Sequence, residues 1–243
     1  MFTGIVLVKG AAALNADGFV KDFTEWSAAA MKELVRDTNT LLLNIEGATV
    51  AISAVNTPVD AKEINAAGRN AYQWPNVVQQ AQKHQSQLVI AISEEEADAL
   101  KHYMILTEVA ASLLRTSEGT VVYMPGQSLL IPKAYYLEEA ESMDEYYYPL
   151  HLWLTFGRQQ DEKGNSGYTS GLKEFGKMEL EINDATASPE AITSVLFNIA
   201  HYILENDVMF ASGDTCSLSE TEEVAIQCSP GKLVKGITCK LLL

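Results

Sequence analysis

Several groups of residues in this 243-residue chain have the types and spacing that chemistry could use. Gly171-Leu172-Lys173-Glu174-Phe175-Gly176-Lys177 has the GxxxxGK spacing of a phosphate-binding loop, whose backbone N–H groups cradle phosphates. That loop needs Ser or Thr next, to ligate magnesium, and a helix after it. Here Met178 follows, and then an alternating strand pattern. Its glycines are therefore read as turn residues. Glu174, Glu179 and Glu181 could pair as acid and base, but Glu179 and Glu181 sit two apart on a strand and read as a solvated face. His84, His102, His151 and His201 show no helical ligand spacing and no HExxH. His84 reads as a carbonyl cap near a helix end. His151, between Leu150 and Leu152 on an expected strand, should point away from the core. Cys216, Cys228 and Cys239 have eleven and ten residues between them, which fits neither a zinc knuckle nor a redox CxxC. They are expected as buried free thiols. No metal or cofactor is expected from any of these.

The segment from Leu137 to Tyr148 differs from the others. Glu138, Glu139, Glu141, Asp144 and Glu145 crowd together without a Lys or Arg, flanked by Tyr135, Tyr136, Tyr146, Tyr147 and Tyr148. Carboxylates steer cationic partners, and tyrosines are enriched at interfaces. These five acidic residues, with Tyr147 and Tyr148 as anchors, form the expected partner-binding surface. Composition points the same way. The chain has 17 Lys+Arg against 32 Asp+Glu, a formal charge of −15. Such a balance argues against nucleic-acid binding, which needs a cationic face, and against an anionic membrane surface. With 47% hydrophobic residues the chain has the material for a core. The opening Met1-Phe2-Thr3-Gly4-Ile5-Val6-Leu7-Val8 lacks a basic start, so no leader is expected; no apolar run suggests a membrane span, and a reducing cytoplasm is the expected compartment.

The elements that must position these groups follow from periodicity. A strand is expected over 2–8. A helix is expected over 17–37, with Phe19, Phe23, Trp26, Ala30 and Leu34 on one face and Asp17 as cap. A hairpin turns at Glu46-Gly47. After a polar loop, Trp74-Pro75 opens a helix that buries Trp74, Val77, Val78 and Ala81. A strand over 88–92 completes a β-α-β-β-α-β order. The longest helix spans 94–116, with Glu94, Glu95, Glu96 and Asp98 near its start, where they complement the dipole. The second half repeats the order: strands near 120–124 and 150–157, a helix near 133–145, a turn cluster at 164–167, a strand at 178–182, a Ser188-Pro189 helix to 205 and a strand at 208–210. Strands near 222–228 and 236–242 form the tail. The fold class expected is α+β: one compact domain, 1–243, of two ferredoxin-like halves, 1–93 and 119–212, bridged by helix 94–116.

Two stretches carry a family resemblance. They are Asn70-Ala71-Tyr72-Gln73-Trp74-Pro75 with Ala81-Gln82-Lys83-His84, and Gly167-Tyr168-Thr169-Ser170-Gly171-Leu172-Lys173-Glu174-Phe175-Gly176-Lys177-Met178-Glu179-Leu180-Glu181. With Phe2-Thr3-Gly4 they resemble the bacterial domain of unknown function 4261 over essentially the whole chain. The resemblance implies a soluble bacterial cytoplasmic protein, with some relatives encoded near secreted toxins, and supplies no catalytic residues to carry over. The expected function is therefore a non-enzymatic acidic binding protein, an immunity protein that neutralises a cationic secreted toxin or effector. One alternative is an enzyme built around the 167–176 loop, using Tyr168, Thr169, Lys173 and Glu174 with His84 as base. Another is a regulatory or structural component of a secretion or phage-related assembly.

Overall fold

The structure is a computed structural model and describes residues 2–93, 98–144, 146–218 and 223–243. It is α+β and divides into two compact units, Met1–Leu152 and Trp153–Leu243. The division falls well after the long helix expected to bridge two halves, and that helix lies inside the first unit.

The first unit opens with β1 (Phe2–Val8) and α1 (Ala16–Trp26). Asn15, not Asp17, caps α1: its side chain accepts from the Gly18 N–H at 3.0 Å. Phe19 and Phe23 bury the helix as expected. The helix then stops at Trp26, and Met31–Arg36 forms strand β2. The helical periodicity of 27–37 is overridden by pairing with β3 (Thr40–Ile45). Glu46 pins the start of β2, since its carboxylate accepts from the Ala30 N–H at 2.5 Å and its own N–H donates to the Ala30 carbonyl. A register shift between Glu33 and Val35 leaves Leu34 and Val35 exposed on this strand.

β3 and β4 (Ala48–Val55) form the expected hairpin, with Glu46 and Gly47 both at positive φ (50° and 93°), as a tight two-residue hairpin turn requires. Leu41, Leu43 and Ile45 stand opposite Ile52, Val50 and Ala48, all buried on one face. The "polar loop" contains helix α2 (Ala61–Gly68), capped by Asp60 onto the Lys62 N–H. α3 (Val77–Ala81) and β5 (Ser86–Ser93) follow.

The long helix is α4 (Ala99–Thr116), capped by Asp98 onto the Lys101 N–H at 3.1 Å. Glu94, Glu95 and Glu96 lie outside the described residues. β6 (Gly119–Met124), β7 (Leu129–Pro132), α5 (Lys133–Ser142) and the single turn α6 (Leu150–Trp153) complete the order. Among the described residues the sheet runs β2-β3-β4-β5-β1-β6-β7, with every pair antiparallel. That order corrects the ferredoxin-like expectation. β5 stands between β4 and β1, whereas a ferredoxin-like half would seat its first strand between its third and last, and β6 and β7 extend the same sheet rather than founding a second half. Leu7, Val121 and Tyr123 face α2 and α3, packing with Ile64, Ala67, Val77 and Ala81. On the opposite face Gly4 leaves room for α4, since a Cβ there would stand 3.0 Å from Leu106.

The second unit contains β8 (Thr155–Asp161), β9 (Gly164–Ser170), a 3₁₀ turn at Leu172–Phe175, β10 (Glu179–Ala185) and α7 (Pro189–Glu205). β11 (Thr215–Ser217), β12 (Glu223–Pro230) and β13 (Ile237–Leu242) close the chain. Three expectations are corrected here. Residues 150–153 form a helical turn rather than a strand; 164–167 are strand rather than turn; and 208–210 are not strand. α7 forms as expected: Ser188 caps it onto the Ala191 N–H and Pro189 occupies the first turn. Among the described residues the sheet order is β11-β12-β13-β10-β9-β8, with β10–β13 parallel and the other pairs antiparallel. The C-terminal strand thus lies inside the sheet, beside β10. Gly167 lets α7 approach β9 closely, because a Cβ there would meet Ile192 at 2.5 Å.

Candidate functional site

The acidic surface is built by α5 and the turn after it. Ala140 and Tyr136 anchor α5 in the first unit, which turns Glu138 and Glu141 outward. At the edge of Glu141's reach, at 4.0 Å, lies Arg115, which already binds Asp22 at 3.0 Å and stacks over the Trp26 ring at 4.2 Å. Asp144 is both exposed and structural. Its Oδ1 accepts from the N–H groups of Tyr146 (2.7 Å) and Tyr147 (2.8 Å), and this sets the turn.

Glu139 faces inward to two phenols. Tyr147 donates to Glu139 Oε2 at 3.1 Å, and its hydroxyl is pushed up to about 12, by burial first and then by the Glu139 charge. Tyr135 is raised for the same two reasons. Tyr148 is buried. The aromatic side chain that projects from this turn is Tyr146, 71% exposed. Glu138, Glu141, Asp144 and Tyr146 are thus each exposed, while Glu139 and Tyr147 are half-buried against each other and Tyr148 is buried. Glu145 lies outside the described residues. Sequence could not separate the three consecutive tyrosines, because the turn set by Asp144 decides which one faces solvent.

The glycine loop of the second unit is built around a carboxylate. Glu179 is 5% exposed. Its Oε1 accepts from the N–H groups of Gly171 (2.8 Å) and Lys173 (3.2 Å). Its Oε2 accepts from the Thr169 hydroxyl (2.8 Å) and the Leu172 N–H (3.2 Å). Thr169 Oγ1 in turn accepts from the Leu180 N–H at 2.8 Å. The cradle of N–H groups that the GxxxxGK spacing suggested does exist, and the chain's own carboxylate fills it. Gly171 and Gly176 have φ of 128° and 70°, which closes the turn around it.

Two residues on, Glu181 is 0% exposed and accepts from the N–H groups of Lys232 (3.0 Å), Leu233 (2.9 Å) and Val234 (2.9 Å). Burial by itself would push this carboxyl up. The three N–H groups and the Asn183 amide outweigh it and hold the group below the usual carboxylate range. The shared face of Glu179 and Glu181 is real, but it is buried rather than solvated.

The residues of the enzymatic alternative are dispersed in role. Thr169 is buried and committed to Glu179. Tyr168 lies across β8 over Gly157, where a Cβ would stand 2.1 Å from its ring. The Lys173 side chain is exposed, and Glu174 is half-buried. Both nitrogens of His84 are in use: Nδ1 bonds the Ala81 carbonyl at 2.5 Å and Nε2 accepts from the Val59 N–H at 2.7 Å. It ties the segment before α2 to the end of α3. His151 sits in the α6 turn, not on a strand facing out, and burial pushes its imidazole down to about 4. Among the described residues no three His, Cys, Asp or Glu side chains gather as a metal site would need.

The fold and these groups define an α+β protein of two sheet-based units, one carrying an exposed acidic turn and the other a loop folded onto its own glutamate. Residues 168–242 match the family Domain of unknown function (DUF4261). The matched stretch holds the Tyr168–Glu181 motif, both buried glutamates and both loops they bind; the 70–84 motif lies outside it. No curated protein and no solved structure matches the chain.

Proposed function

We propose that this protein acts without catalysis, by binding and neutralising a cationic protein partner, in the manner of an immunity protein facing a secreted bacterial toxin. The observation that carries this reading is the α5 turn. Glu138, Glu141 and Asp144 are exposed, as is Tyr146 close by in the chain, on a protein of net charge −15. An acidic surface with a projecting aromatic ring suits a basic partner, because charge speeds encounter and the ring anchors the complex. Further support is negative for the rival reading. Thr169, Glu179 and His84 are each engaged in holding the chain's own backbone or side chains. The cytoplasm is the proposed compartment; among the described residues no helix is long and apolar enough to cross a membrane.

The test is binding kinetics against the protein encoded beside this gene. The double variant Glu138→Lys/Glu141→Lys should associate about tenfold more slowly at low salt, with the difference shrinking as ionic strength rises. Tyr146→Ala should mainly speed dissociation. Folding stability should move by about 1 kcal/mol or less, since these charges are exposed. An unchanged on-rate in the double variant would reject this surface. Failure of the wild-type protein to bind any neighbouring product would reject the function.

A further inference from the structure

Cys228 and Cys239 face each other across β12 and β13. They are register partners in an antiparallel pair, and their sulfurs lie 3.4 Å apart as free thiols. Directly opposed residues in antiparallel strands have Cα atoms about 4.5–5.5 Å apart, inside the span a disulfide bridges. The sulfurs can therefore close to bonding distance by side-chain adjustment alone.

The pair also encloses something. The ten residues between the cysteines carry the turn whose Lys232, Leu233 and Val234 N–H groups bind Glu181. A buried carboxylate thus holds the tip of this hairpin, and two thiols stand at its base. Cys216 is placed differently: it pairs in register with Val224 on the far side of β12.

We propose that Cys228 and Cys239 form a reversible dithiol–disulfide site, oxidised by exchange with low-molecular-weight disulfides of the glutathione class, and that the bond locks the 229–238 hairpin. Cys228 is the entry point, being half-buried where Cys239 is buried. The Cys239 thiol is pushed up to about 12, by burial first and then by its neighbour Cys228, which keeps it protonated during the first step. The Cys228 thiolate attacks one sulfur of the external disulfide, breaks its S–S bond and expels one thiolate. Cys239 then passes its proton to the released thiolate and attacks the Cys228 sulfur. The Cys228–Cys239 bond forms, and the second external thiolate leaves. Two protein thiols and one external disulfide become one protein disulfide and two external thiols.

The test is to equilibrate the full chain over a series of reduced-to-oxidised glutathione ratios, then label residual thiols under denaturing conditions and weigh the product. Fully reduced protein should take three labels, and oxidised protein one, on Cys216, with no glutathione retained. Amide exchange at Lys232, Leu233 and Val234 should slow on oxidation. Glu181→Gln should lose protection at these amides when reduced and recover part of it when oxidised. Cys239→Ser should instead retain glutathione on Cys228. The proposal is overturned if wild-type protein keeps a glutathione adduct without an internal bond, if it forms dimers through Cys228, or if the internal bond forms and exchange in the hairpin is unchanged.

Discussion

Glu181→Ala is expected to destabilise the second unit by about 3–5 kcal/mol, because removing one side of a buried charged interaction leaves its partners without replacement. Here the partners are the N–H groups of Lys232, Leu233 and Val234. Buried donors left unmade cost about 1–3 kcal/mol each, offset where water enters the turn. Glu181→Gln keeps an acceptor oxygen and should cost less. Denaturant unfolding measures the loss, and amide exchange at residues 232–234 locates it. A loss below about 1 kcal/mol would mean the hairpin holds without its carboxylate.

The same residue carries a pH signature of fixed sign. Its folded carboxyl lies below the usual carboxylate range, so its contribution is complete above the unfolded value, near 4.3. That contribution fades as pH falls through the lower folded value. The stability gap between wild type and Glu181→Gln should therefore be constant near neutrality and shrink below about pH 4. A gap that widens on acidification would contradict the hydrogen-bonded carboxylate.

Trp153→Ala should also cost about 3–5 kcal/mol, the range for removing a large aromatic ring from a packed interior. Trp153 is 1% exposed, and its ring lies 6.1 Å from Phe175, which ends the 3₁₀ turn of the glycine loop. Loss of the ring should therefore loosen that loop as well as lower the unfolding midpoint. Trp74→Ala is the comparison. That ring is only partly buried against the α2–α3 core and lies 4.9 Å from Tyr135. It should cost about 1–2 kcal/mol, because less apolar surface returns to water. Equal losses at the two positions would show that the difference in burial does not govern their energetics.

Much of the local structure was legible in the residues. The alternation of Leu41, Leu43 and Ile45 with Val50 and Ile52, about a Glu46-Gly47 turn, reads as the β3–β4 hairpin and forms as read. Ser188-Pro189 and the spacing of Ile192, Leu196, Ile199 and Ile203 read as α7 and bury as read. Helical spacing failed after Trp26, where alanines and leucine continued the pattern and strand pairing with β3 prevailed. The strand reading failed at 150–153, where four apolar-flanked residues suit a strand or a helical turn equally and the helical turn formed.

Which face of most elements is apolar and where several turns fall are legible in neighbours a few residues apart, and the sign of the protein's charge in composition alone. The tertiary structure alone decided the strand order, which of three adjacent tyrosines meets solvent, and the fate of Glu179 and Glu181. On a strand, a carboxylate alternating with leucine and isoleucine reads as a wet face. Glu181 is buried because three N–H groups 51 to 53 residues further along the chain fold onto it and replace its water. A charge can leave solvent only when such donors arrive, and no local pattern records their arrival.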